Sequence, residues 1–179
     1  MQISADELAI LNFYRASELH GGLVLGEMAR RAREPGLMRS LTTHAAEEVA
    51  HAAMWTEAIL DVGGRPSPTR DTYQARYAAA LGAPATMLDV LALTQVFERR
   101  VYRHFTEHLR SRETHPAVRA TLERMLEEEK GHLAWVKRWL DAQAERGAHV
   151  DLLLRRYAAV DTLVYEALLR DYRWRRAAA

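Results

Sequence analysis

Glu48 and His51 stand three residues apart in the stretch EEVAHAAMW, and Glu129 and His132 repeat the pair in EEEKGHLAW, 81 residues further on. On a helix, residues at i and i+3 differ by about 60° around the axis and about 4.5 Å along it, so a Glu and a His at that spacing can address the same metal ions. With 16 Glu and 8 His in the chain, chance placement supplies ~0.7 Glu-x-x-His pairs. Two pairs in repeating register exceed that. Glu18 and Glu98 precede Glu48 and Glu129 by 30 and 31 residues, so the second half of the pattern repeats the first.

These residues must be positioned by helices. Only 9 Gly and 5 Pro occur, clustered between long segments whose apolar residues recur at three and four positions. The first helix is expected from Ser4, where Ser4 and Glu7 fit a capping box, to about Arg33, ended by Glu34-Pro35-Gly36. The second runs from about Leu37 to Val62. A long crossover follows, with a short helix around YQARYAAAL. The third long helix is expected from Pro84 to Arg112, and the fourth from Pro116 to Arg146. A further amphipathic segment, about 150–174, carries Leu153, Tyr157, Val160, Val164, Leu168 and Tyr172 on one face. The layout is all-α: two helical hairpins joined by a long crossover, plus a C-terminal helix.

Helical stepping puts the acids on the apolar faces. Glu18 falls in line with Leu11, Tyr14, Gly22 and Leu25, and Glu48 with Leu41, His44, Ala52 and Trp55. Glu98 lies with Leu91, Gln95, Tyr102 and Phe105. Glu129 is the one acid in a stripe of Val118, Leu122, Met125, Leu133, Val136 and Leu140. A buried unpaired carboxylate costs several kcal/mol, so four would strain a domain of about 5–15 kcal/mol net stability. Two divalent cations balance four carboxylates, and two neutral imidazoles complete the coordination without changing that balance. The chain has no cysteine, so any metal is held by oxygen and nitrogen. Such a donor set suits iron or manganese, and ligand type alone does not separate these from zinc.

The formal charge of +1 gives no global reason to expect nucleic acid or an anionic membrane as partner. No apolar run approaches the ~20 residues of a membrane span, and MQISADELAI lacks a basic region followed by an apolar one. The expectation is a cytoplasmic protein with one domain over residues 1–179, its helical bundle spanning about 5–146.

With an inward Glu and a Glu-x-x-His in each of two hairpins, the chain resembles the ferritin-like di-iron carboxylate superfamily, over roughly residues 5 to 146. The resemblance implies an antiparallel four-helix bundle with a long crossover between its second and third helices. It also implies Glu18, Glu48, His51, Glu98, Glu129 and His132 as metal ligands, with Glu48 and Glu129 bridging. Two iron ions, manganese or a mixed pair would react with dioxygen or hydrogen peroxide, in a ferroxidase, peroxidase or oxygenase. Rubrerythrins often carry a cysteine-rich electron-transfer module, which this chain lacks, so an external electron donor is expected. Bacterioferritins bind haem through a Met where this chain has Val49, so no haem is expected. A homo-oligomer, most simply a dimer, is anticipated. The competing reading is an iron-storage assembly or a non-catalytic bundle fastened by its metals; storage ferritins usually end in a shorter helix than the segment here.

Other residues carry narrower expectations. Tyr102, one turn from Glu98, is a candidate catalytic phenol, and Tyr14 stands in the same relation to Glu18. His44, one turn before Glu48, is a candidate partner or extra ligand. Gly21 and Gly22 mark either a pocket beside the metals or a close helix approach. Glu47, Glu127 and Glu128 lie off the inward stripes and are expected in solvent or in surface pairs.

Overall fold

Helix caps decide where the elements begin. Ser4 accepts a hydrogen bond from the Glu7 N–H (3.0 Å) and opens α1, Ala5–Arg31; Glu7's own carboxylate accepts from the His115 N–H (3.2 Å). Ala32 turns extended (ψ 138°), so α1 ends two residues before the expected Arg33. Pro35 does not follow a terminator but starts α2, Pro35–Asp61: its fixed φ suits the first helical position, and Glu34 accepts from the Gly36 N–H. The crossover contains α3, Tyr73–Leu81, where a short helix was expected.

The third long helix, α4, begins at Met87 rather than Pro84. Pro84 satisfies none of the free N–H groups of a helix start, whereas Thr86 and Asp89 do so reciprocally in a capping box. Next come α5, Pro116–Glu145, and α6, Val150–Asp171. Between them Gly147 takes φ +89°, a conformation that favours glycine. The computed structural model describes residues 3–112 and 114–172; the last two positions expected for the C-terminal helix, 173 and 174, lie outside that range. Among the described residues there are six helices and no strand.

The chain divides into two compact units, Met1–Ala75 with Thr114–Thr121, and Arg76–Glu113 with Leu122–Ala179. In the first, α1 packs on α2 around Ile10, Leu11, Leu41 and Ile59, all fully buried, each stabilising the fold by about 1.5–3 kcal/mol relative to exposure. Tyr14 meets Trp55 with ring centroids 5.1 Å apart, and Phe13 meets Tyr73 edge-on at 4.9 Å. The crossover is tied to α1: Asn12 accepts from the Ser67 N–H (2.6 Å), and Arg15 donates to the Ser67 carbonyl (3.1 Å).

In the second unit α4 packs on α6 through polar as well as apolar contacts. Tyr157 donates to Asp89 (2.9 Å) and Tyr165 to Glu107 (3.0 Å). Asp161, buried in the apolar face of α6, accepts from Arg100 at 2.6 and 3.0 Å and from the Tyr77 hydroxyl of α3. The Arg100 guanidinium lies 4.2 Å over the Tyr165 ring, a cation–π contact. No helix among the described residues is long and apolar enough to cross a membrane.

Candidate metal centre

The stripes read from the sequence are buried. Of the six proposed ligands, Glu18, Glu48, His51, Glu98, Glu129 and His132, none is more than 5 % exposed. Each sits mid-helix, where an amphipathic stripe has turned a polar residue inward.

In the first unit, α1 supplies Glu18 while α2 supplies His44, Glu48 and His51. Glu18, Glu48 and His51 each offer one ligand atom, all within 4.8 Å of one another. His51 Nδ1 lies 3.7 Å from Glu18 Oε2, and His44 Nε2 lies 3.2 Å from Glu48 Oε1. His44 therefore stands against Glu48, as its place one turn earlier allows. In the second unit Glu98 of α4 and His132 of α5 offer ligand atoms within 4.8 Å of each other, and His132 Nδ1 is 3.3 Å from Glu129 Oε2. The α5 counterpart of His44 is Met125, fully buried and apolar.

The acids have imidazoles beside them, and among the described residues no Lys or Arg is buried. In each unit, buried carboxylate and imidazole donors shielded from water are a chemically suitable set for iron or manganese. These buried Glu and His groups could hold metal ions.

Gly21 and Gly22 mark close packing. A Cβ on Gly21 would fall 2.5 Å from Glu48 Oε2 and 3.2 Å from Gln74 Nε2, and one on Gly22 would fall 2.7 Å from Val49 Cγ2. The carboxylate of Glu48 occupies the space that a side chain at 21 would take.

Tyr14 is buried against Trp55, and Tyr102 is half-buried. Glu47 is exposed, while Glu127 and Glu128 pair at the surface with Lys130 (2.5 Å) and Arg124 (3.0 Å).

Sequence reasoning missed three buried polar groups on the α4/α6 side: Asp161, His104 and His108. A four-residue spacing could have found them, since Arg100, His104 and His108 form one row on α4 while Tyr157, Asp161 and Tyr165 form one on α6. His104 meets Tyr165 edge-on at 5.2 Å. Burial first, then the charges of His108 and Arg100, hold its imidazole well below the ordinary value of 6.5.

A profile of the ferritin-like domain family matches residues 9–144. The match spans α1 to nearly the end of α5, most of the chain, and the chain belongs to this family of all-α helical bundles. No curated relative and no solved structure matches the chain.

Proposed function

We propose that this protein is a di-iron oxidoreductase that reacts with dioxygen or hydrogen peroxide. The observation that carries the reading is the burial of four glutamates with histidines beside them, while no Lys or Arg is buried among the described residues. Buried carboxylates are stabilised by a counter-charge, and a pair of divalent cations would supply it.

In this reading Glu18, Glu48, His51, Glu98, Glu129 and His132 are the ligands of two ions, iron foremost, with manganese or a mixed pair as the other choices. Membership of the ferritin-like family and the repeat of Glu and Glu-x-x-His along the chain support it. When bound, a reduced iron pair would supply two electrons to dioxygen or peroxide. The chain's own residues do the rest. The carboxylates fix the charge of the site, His44 holds Glu48 from the turn before, and the apolar stripes keep out bulk water. Tyr102, one turn from Glu98, is the phenol proposed to donate a hydrogen bond or an electron there. Electrons for turnover come from an external donor, since the chain has no cysteine for an iron–sulfur module.

A homodimer belongs to the same proposal. Leu19 and Leu23 of α1 and Val49 of α2 are exposed around Gly22, and a second copy would cover them.

The test is metal analysis of the purified protein, followed by anaerobic loading with ferrous iron and mixing with oxygen or peroxide. Two ions per chain and a fast spectral change with one oxidant are expected, as is a small oligomer on size-exclusion chromatography. Absence of any spectral change with both oxidants would overturn the redox reading. A large hollow assembly would favour storage.

A further inference from the structure

We infer that Gln74, at the start of the crossover helix α3, is a positioning residue that sets the orientation of the Glu48 carboxylate through the gap left by Gly21. The inference rests on the proposed metal role of Glu48.

The start of α3 is stitched to one turn of α1. The His20 Nδ1 and Thr72 hydroxyl are 2.8 Å apart, the Tyr73 N–H donates to the Ser17 hydroxyl at 3.2 Å, and the Thr72 hydroxyl accepts from the Ala75 N–H at 3.0 Å. Gln74 donates through Nε2 to the Ser17 carbonyl at 3.1 Å. That carbonyl lies one helical turn before Gly21, so the amide is carried to the edge of the glycine gap.

At the gap two polar groups meet over the missing side chain. The position a Cβ would take on Gly21 is 2.5 Å from Glu48 Oε2 and 3.2 Å from Gln74 Nε2. Any larger residue at 21 would push one of them away. Nε2 has two N–H groups, and only one is used on Ser17. The second is available to turn toward the carboxylate side of the gap, where a bond to Glu48 would limit its rotation. Gln74 Oε1 is buried with no hydrogen-bond partner among the described residues. A glutamine that only fastened the crossover would be poorly chosen, because it buries an unsatisfied acceptor that an apolar side chain of similar size would not.

Gly21 and Gln74 thus border the gap that Glu48 Oε2 fills, while His44 stands 3.2 Å from Oε1. The α4 position corresponding to Gly21 is Val101. The α1/α2 unit therefore has a device that is not repeated at that position on α4.

The experiment titrates metal-free wild type, Gln74→Leu and Gly21→Ala with Co2+, reading equivalents bound, affinity and the visible ligand-field bands, with the metal-free Tm measured alongside. Gln74→Leu is expected to weaken one of two Co2+ equivalents by on the order of tenfold and to shift its bands, with Tm within about 2 °C of wild type; groups that orient metal ligands carry effects of this size. Gly21→Ala should lose more, on the order of a hundredfold, because the added methyl displaces Glu48 directly. Gln74→Met, which keeps the length and removes the donors without adding a charge, should reproduce the Leu result and serves if the Leu variant misfolds. Wild-type affinity and bands in both Gln74 variants would overturn the inference, whatever the Tm does. If wild type itself takes up no Co2+, Mn2+ or Fe2+, the metal reading fails, and this inference with it.

Discussion

Asp161 and Glu48 are both acids buried within helix contacts, but they are met differently. Asp161 is held by Arg100, which approaches with two nitrogens, one at 2.6 Å, and by the Tyr77 hydroxyl. Glu48 has His44 beside it at 3.2 Å and a glycine gap on its flank. The first acid carries its counter-charge within the protein. The second has a histidine beside it in place of a guanidinium, and its counter-charge is proposed to come from outside. A fixed guanidinium makes a structural joint, whereas acids balanced by ions make a site that can be loaded and emptied.

That difference can be broken most strongly by changing the metal. Wild type loaded with Fe2+ or Mn2+ at about a hundredfold excess over Kd should gain ~2.7 kcal/mol per ion, or roughly 5–10 °C in Tm per ion, and a chelator should return it to the metal-free value. Coincident melting curves with and without metal would refute the proposed balance of charge. Next in size, Asp161→Asn leaves Arg100 without its counter-charge and should cost about 3 kcal/mol in either metal state. Glu48→Gln should move the metal-free protein the other way, by about +1 kcal/mol, because it removes a buried charge, and should abolish the gain from metal. The same sign for both substitutions in the metal-free protein would erase the distinction drawn above.

The smallest effect concerns protons on the α4/α6 side. The His104 imidazole is held well below 6.5 by burial, so the unfolded chain binds a proton there that the folded chain refuses. The stability tied to neutral His104 is present above pH about 6.5 and lost as pH falls below it, with a slope of up to about 1.4 kcal/mol per pH unit. In urea unfolding of the metal-free protein between pH 7.5 and 5.5, His104→Phe, which can keep the edge-on contact with Tyr165, should show a shallower decline than wild type. Parallel curves would show that His104 is protonated in both states.

Much of this was legible before any coordinates, because it depends on local periodicity. The inward placement of Glu18, Glu48, Glu98 and Glu129 follows from steps of three and four along each helix, and all four are buried. Helix starts were legible where one side chain governs, as at Ser4, and were misplaced where two signals competed. Pro84 drew attention from Thr86, although the Thr86–Asp89 box supplies what the proline lacks. The Arg100–Asp161–Tyr77 joint was hidden because its partners lie 61 and 84 residues apart, and no local pattern announces a pairing over such distances. Gly21 could be singled out as unusual, but only the fold brings the Glu48 carboxylate into its place.

Asp89 answers to two helices at once. One carboxylate oxygen closes the box with Thr86 at the head of α4, while the other accepts from Tyr157 of α6, 68 residues later. During synthesis the head of α4 leaves the ribosome well before Tyr157 has been made. The final rigidity of that turn is therefore set late, when the last helix arrives, and a truncated chain would carry a loosened start to the helix that bears Glu98.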